Sequence, residues 1–182
     1  MEKTGMEQGG TLPLGKVKAL VLTGLFAALG CVATMVLVVP SPTGGYMNLG
    51  DAVVLLGTYL LGPVCGAVAG GIGPALADLL AGYTAYVPAT LVIKALMGLA
   101  AGLLYRVLRH RRWALAVCGA AAESIMVVGY WLYDGLLMGS LAGSAVGIFS
   151  NLVQAAFGLA ASTLLALALK SSRYVRREFP NL

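Results

Sequence analysis

Apolar residues fall in long blocks and do not alternate with polar ones: from about Val17 to Val39, Asp51 to Leu61, Val64 to Ala81, Pro88 to Val107, Trp113 to Leu137 and Ala145 to Leu169. Roughly 20 apolar residues at about 1.5 Å rise each match a hydrocarbon core about 30 Å thick, so most of these blocks have the length of a bilayer-spanning helix. Between them lies sequence that cannot continue a helix. Pro40-Ser41-Pro42-Thr43-Gly44-Gly45 breaks the chain after the first block, and Gly62-Pro63 splits a stretch too long for one span. Gly82 and Val87-Pro88 bracket a short loop, and Gly139 to Gly143 ends the fifth block. The pattern predicts an all-α membrane protein with six transmembrane helices over residues 17–170, preceded by a polar segment, 1–16, and followed by a basic tail, 171–182. The second helix, at roughly 11 residues, is shorter than the bilayer and is expected to be tilted, extended or partly buried by its neighbours.

Composition agrees with this reading. The chain is 59% hydrophobic and 10% charged over 182 residues, with mean hydropathy +0.90, against about 45–50% and about 25% in soluble domains. No room remains for a soluble catalytic domain. The 25 glycines suit helices whose backbones approach closely in lipid. Cys31, Cys65 and Cys118 are scattered through apolar runs, which suggests core packing and neither a disulfide framework nor a zinc site. The first apolar block is too long for a signal-peptide core, so this helix is expected to be retained.

Charge placement sets the expected topology. Of twelve Lys and Arg, Lys3, Lys16 and Lys18 precede the first helix, Arg106, Arg109, Arg111 and Arg112 join the fourth to the fifth, and Lys170, Arg173, Arg176 and Arg177 follow the sixth. The positive-inside rule puts all three clusters in the cytoplasm. That requires an even number of crossings before Arg106 and after Arg112, and four plus two satisfies it. Both termini are then cytoplasmic, and the outer connections, Pro40 to Gly50, Tyr83 to Val87 and Gly139 to Ser144, carry no charge. The net charge of +5 belongs to the membrane surface and implies no nucleic acid.

Several motifs fail on inspection. Gly10 to Lys16 approaches a phosphate-binding loop, but Val17 stands where a magnesium-binding Ser or Thr is needed and no strand precedes it; Gly71-Ile72-Gly73 lacks the third glycine of a dinucleotide fingerprint. His110, the single histidine, sits among arginines, so no multi-histidine metal site and no cofactor is expected.

Ionisable groups inside a membrane are costly and mark a pathway, a binding site or a structural pair. Asp78, Lys94, Glu123 and Asp134 fall in this class. Lys94 either pairs with Asp78 or Glu123 or contacts a ligand, and the two are compatible. Asp51 is read as an acid at a helix start, favoured by the N-terminal amides. Tyr46, Asn48, Tyr83, Tyr86, Tyr130, Trp131, Tyr133, Asn151 and Gln154 gather at one depth. An interfacial aromatic belt accounts for some of them. It accounts poorly for Asn151 and Gln154, which share a helix face and suit a pocket for a small polar aromatic ligand. Gly24 and Ala28, beside Ala27 and Cys31, give small-xxx-small spacing, for which intramolecular helix packing is the simpler reading.

The run Gly45-Tyr46-Met47-Asn48-Leu49-Gly50-Asp51, then Leu61-Gly62-Pro63, Gly70-Gly71-Ile72-Gly73, Leu76 to Tyr83 (LADLLAGY) and Tyr86 to Lys94 (YVPATLVIK) closely resembles the substrate-binding S components of energy-coupling factor (ECF) vitamin transporters. The similarity covers roughly residues 17–170 and is densest from Gly45 to Gly98. It is strongest to the riboflavin-type branch, which includes carriers assigned to pyridoxine or hydroxymethylpyrimidine. The resemblance implies a six-helix fold with both termini inside, in the cytoplasmic membrane of a prokaryote. It also implies capture of a vitamin outside, and association with a T component and two ATPases that use the ATP. It carries a T-component contact onto Gly24 and Ala28, where glycine departs from the family's alanine, and makes Asn48, Lys94, Tyr130, Asn151 and Gln154 candidate ligand residues.

Taken with the buried acids and tyrosines, the candidate substrate-binding set is Asn48, Asp78, Tyr83, Tyr86, Lys94, Glu123, Tyr130, Asn151 and Gln154, with Gly44, Gly45 and Tyr46 in a loop that closes over the ligand as a gate. Lys94 is expected to reach a ligand carbonyl, phenolate or hydroxyl. The rival reading is a small ion-coupled secondary transporter, alone or as a homodimer, with Asp78, Glu123 and Lys94 as a proton relay. A membrane enzyme is weaker still, for want of a nucleophile with an evident base.

Overall fold

The computed structural model describes residues 15–36, 38–179 and 181–182; Glu2, Lys3, Glu7 and the Gly10 to Leu14 part of the Gly10 to Lys16 run lie outside them. Helix α1 (Lys16–Val36) leads into a two-residue antiparallel ribbon, β1 (Val39–Pro40) against β2 (Tyr46–Met47). Then follow α2 (Gly50–Leu61), α3 (Pro63–Leu80), α4 (Val87–Leu108), α5 (Ala114–Met138), a single turn α6 (Leu141–Ser144), α7 (Val146–Ser171) and a short α8 (Arg173–Glu178). Each apolar block of the sequence is a helix, displaced by up to three residues at its ends. Five of them, with α6 and α7 counted together, are long and apolar enough to cross a membrane; α2 is shorter.

The shortness of α2 is explained by where it lies. Ten of its 12 residues are buried, because α1, α3, α4 and α7 pack around it. A helix of about 18 Å so enclosed meets neighbours along its length and has little contact with lipid. It joins α3 through Gly62 alone, whose φ of 87° is open to glycine at no steric cost, and Pro63 starts α3 where its missing N–H is unneeded.

Around α2, the helices α1, α3, α4, α5 and α7 follow one another as neighbours. The α3–α4 contact is made backbone to backbone. A Cβ on Gly98 would lie 2.8 Å from the Gly66 carbonyl oxygen, and one on Gly102 2.5 Å from Pro63 Cα, so small residues at these positions permit the approach. On the other side of α3, a Cβ on Gly73 would meet the Ala27 carbonyl oxygen at 2.4 Å. The Ala27 face of α1 therefore packs inward, while Gly24 and Ala28 are exposed. Spacing alone favoured intramolecular packing for Gly24 and Ala28, and the structure corrects this: the helix is turned so that its neighbours along the chain make that contact.

The two ends of the bundle differ in chemistry. At one end, Lys18 pairs with Glu178, Tyr105 donates to the Leu182 carbonyl oxygen (3.1 Å), Asn181 donates to the Leu60 carbonyl oxygen (3.3 Å), and Arg106 lies beside Gly62. The start of α1 and the end of the chain thus meet among the basic residues. At the other end lie the ribbon, the 81–86 connection, α6 and most of the tyrosines. Between them, Leu55, Tyr59, Met97, Cys118 and Met126 form the fully buried centre.

Candidate functional site

The ribbon end encloses a polar cavity. Its lining comes from the loop (Ser41, Thr43, Gly45, Tyr46, Asn48), the end of α3 (Asp78), the start of α4 (Tyr86, Thr90), the far half of α5 (Tyr130, Asp134) and the start of α7 (Asn151, Gln154). About 400 Å³ of empty space is present, open mouth included.

Local structure explains how each group arrives. The ribbon folds the loop back through a tight turn, with Ser41 N–H donating to the Gly45 carbonyl oxygen (2.8 Å) and Gly44 at φ 92°. This brings Tyr46 over the end of α3, where its hydroxyl donates to Asp78 Oδ1 (2.6 Å) and its ring rests against Tyr83, 4.5 Å between centroids. Gly45 is held close to the Tyr86 ring. Tyr86 donates to Asp134 Oδ1 (2.8 Å), with the Thr43 carbonyl oxygen at 3.2 Å, so one phenol links α4, α5 and the loop. Burial pushes the Tyr46 and Tyr86 phenols well above the usual tyrosine range, and the neighbouring Asp78 and Asp134 carboxylates push them further. Both therefore stay neutral donors across physiological pH. Thr90 and Tyr130 share a hydrogen bond of 2.8 Å across α4 and α5.

Beneath the cavity lies a charged floor. Lys94, 1% exposed, forms an ion pair with Asp51, 0% exposed. Gln154 Nε2 donates to the other Asp51 oxygen (2.6 Å), and Gln154 Oε1 accepts from the Asn48 N–H (2.8 Å). The Lys94 ammonium also lies 5.5 Å from the centre of the Tyr130 ring. Two sequence readings are corrected here. Asp51 does not cap α2: Asn48 Oδ1 accepts from the Gly50 N–H (2.8 Å) at that end, and the Asp51 side chain is spent on Lys94 and Gln154. The acid paired with Lys94 is accordingly Asp51, and neither Asp78 nor Glu123.

The candidate residues are thus divided. Asn48, Asp78, Tyr86, Tyr130, Asn151 and Gln154 line one cavity, together with Gly45 and Tyr46 of the gating loop. Tyr83 stands behind Tyr46, Gly44 forms the turn, and Lys94 lies below with its charge committed. Glu123 is elsewhere: it lines a largely apolar cleft between α5 and α7, and both its carboxylate oxygens are buried without a hydrogen-bond partner among the described residues. A Cβ on Gly158 would meet Glu123 Oε1 at 2.5 Å and Asp51 Cβ at 2.8 Å, so α7 passes between the two acids. Ser41, Thr43, Thr90 and Asp134 complete the lining without having been singled out as ligand residues. Thr90 had a signal, standing one helical turn before Lys94 on the same face; the loop hydroxyls had none.

Comparisons with known proteins fit this arrangement. Residues 15–171 match the family model described as the ECF-type riboflavin transporter, S component. The chain is 34% identical over 141 residues, 76% of its length and 93% of the relative's, to an uncharacterized protein in the gap 3′ region of Pyrococcus woesei. It is 29% identical over 153 residues, 82% of its length and 86% of the relative's, to the thiamine precursor transporter HmpT of Lactococcus lactis subsp. cremoris (strain MG1363). A family model covering nearly the whole helical region, on a bundle with several membrane-length helices and a polar cavity at one end, makes this a multi-pass membrane protein and a transport subunit rather than an enzyme. The chain belongs to the S-component family of ECF-type riboflavin transporters.

Proposed function

We propose that this protein captures a small water-soluble vitamin or vitamin precursor at the outer face of a prokaryotic cytoplasmic membrane and delivers it inward with a T component and two ATPases that consume the ATP. The observation that carries this reading is the cavity itself, which combines tyrosine rings, amides and carboxylates under a loop pinned shut by Tyr46 and Tyr86. Aromatic rings for stacking beside convergent polar groups suit a small polar aromatic ligand. In this reading the bundle crosses the membrane six times, with α2 as the short second span and the basic end in the cytoplasm, as the Lys and Arg distribution favours. The loop opens by releasing two tyrosine hydroxyls, a small local change suited to a gate. Gly24 and Ala28, exposed on a face of α1 that no other described helix covers, offer the T component a flat surface.

The experiment is uptake in proteoliposomes containing this chain, a T component and both ATPases, with labelled riboflavin, pyridoxine and hydroxymethylpyrimidine. Uptake of one of them that needs internal ATP and all four subunits is expected. Uptake by this chain alone that persists without ATP and collapses with a protonophore overturns it in favour of an ion-coupled carrier.

A further inference from the structure

The charges that reach the cavity are all of one sign. Asp78 and Asp134 line it, whereas Lys94 does not, its ammonium being taken by Asp51 below. The remaining lining is neutral, so among the described residues the cavity wall carries two carboxylates and no cation. Each carboxylate already accepts one tyrosine hydroxyl on Oδ1. At Asp78 the second oxygen, Oδ2, is buried and has no hydrogen-bond partner among the described residues, the nearby Thr90 hydroxyl being bonded to Tyr130, and the residue as a whole is 4% exposed. An acceptor left unsatisfied in such a place costs about 1–3 kcal/mol, more when charged. It is relieved by a donor and worsened by any ligand edge that presents another acceptor.

We propose that Asp78 Oδ2 is the anchoring acceptor for an N–H group of the ligand, and that the cavity therefore selects an amino-substituted heteroaromatic, of the aminopyrimidine kind, over rings whose facing edge is a carbonyl. This rests on the capture reading above and narrows its substrate class. The rings of Tyr46, Tyr86 and Tyr130 supply apolar and stacking surface for a flat body. The Asn151 amide, able to give and accept, meets a mixed edge. With the loop closed the site encloses only about 30 Å³, room for about one water, so a ring enters as the loop moves aside. An N–H donated to a carboxylate is a charge-assisted bond, about twice as strong as a neutral one. The assignment also joins recognition to gating. The same carboxylate holds the loop through Tyr46 on one oxygen and the ligand on the other, so a ligand that neutralises part of its charge alters the grip on the loop.

The test is isothermal titration of the purified full-length protein with four probes: 4-amino-5-hydroxymethyl-2-methylpyrimidine, its 4-hydroxy counterpart in which a carbonyl replaces the amine, pyridoxine and riboflavin. The amino compound is expected to bind one to one, at least tenfold more tightly than the 4-hydroxy compound and than the other two. In Asp78→Asn the amide keeps an oxygen for Tyr46 but turns the other position into a donor; affinity for the amino compound is expected to fall at least tenfold and the preference over the 4-hydroxy compound to vanish. The wild-type comparison of the two pyrimidines decides the matter even if the variant does not fold. Equal or tighter binding of the 4-hydroxy compound, pyridoxine or riboflavin overturns the inference while leaving vitamin capture standing, as does unchanged selectivity in a folded Asp78→Asn. Binding of none of the four overturns both.

Discussion

The cavity and the floor directly beneath it are built from the same kinds of residue and differ in how they are finished. In the floor, Lys94, Asp51, Gln154 and the Asn48 N–H close on one another, each hydrogen bond answered from inside the chain. In the cavity, the carboxylates are answered on one side by the loop's tyrosine or by Tyr86, and Asp78 keeps an oxygen in reserve. A closed network fixes a shape; an open one awaits a partner. The position of a charge inside a membrane protein is therefore a poor guide to its role, and its pairing is a better one. Lys94, the most conspicuous single charge in the sequence, is paired inside the chain with Asp51.

The sharpest way to break this contrast is to open the floor. Lys94→Met leaves the Asp51 carboxylate buried without its cation, and removing one partner of such a pair costs about 3–5 kcal/mol. A large fall in the thermal unfolding midpoint in detergent is expected, recovered in good part by adding Asp51→Asn; a Lys94→Met protein as stable as the wild type would place the lysine outside the scaffold. A smaller effect is expected at the cavity. Tyr86→Phe removes a hydrogen bond to a carboxylate, about 1.5–3 kcal/mol at most. The protein should fold, bind its ligand more weakly and release it faster as the loop loses its tether to Asp134, which stopped-flow fluorescence of the bound state would read. The smallest effect is expected at the opposite end. Lys18 beside Glu178 holds that carboxyl below the usual range, so whatever the pair contributes is present above the ordinary glutamate range, near pH 4.5, and is lost as pH falls through the lowered value. For an exposed, salt-screened pair, Glu178→Gln should leave the unfolding midpoint at neutral pH unchanged within error, and any difference from wild type should disappear in acid.

Much of this was legible in the sequence, and the parts that were not share a cause. Blocks of apolar residues and the breakers between them located every long helix because lipid imposes length and composition on each segment separately, whereas the short α6 and α8 fall in segments read as a connection and a tail. The cavity lining was legible in outline, since Asn151 and Gln154 are amides with no business in lipid and the tyrosines cluster at one depth. Asp51 was misread because at a helix start an acid has an ordinary local explanation, and its actual partners, Lys94 and Gln154, are 43 and 103 residues away. Its place inside an apolar block was the available signal, putting it with Asp78, Glu123 and Asp134 as an acid needing an account. Glu123 was grouped with the ligand residues as a buried acid, but its place in the cleft between α5 and α7 depends on the path of α7 past Gly158. Thr43 and Ser41 reach the cavity only because the ribbon folds the loop back, a geometry with no mark in the pattern of hydrophobic residues.

The glycine seam between α3 and α4 bears on how the molecule is made. Its contacts join two helices adjacent in sequence across a connection of six residues, 81–86, so they are local in the chain and quick to form. The hairpin can close once both helices have entered the bilayer, before α5 and α7 are available. It carries Asp78, Tyr86, Thr90 and Lys94 into register at that moment, a quarter of the cavity lining and the base of the floor. Later helices then dock onto a template already set, and a bulky residue at Gly98 or Gly102 would reveal itself first as a failure of biogenesis, in protein lost to quality control, rather than as a carrier with altered selectivity.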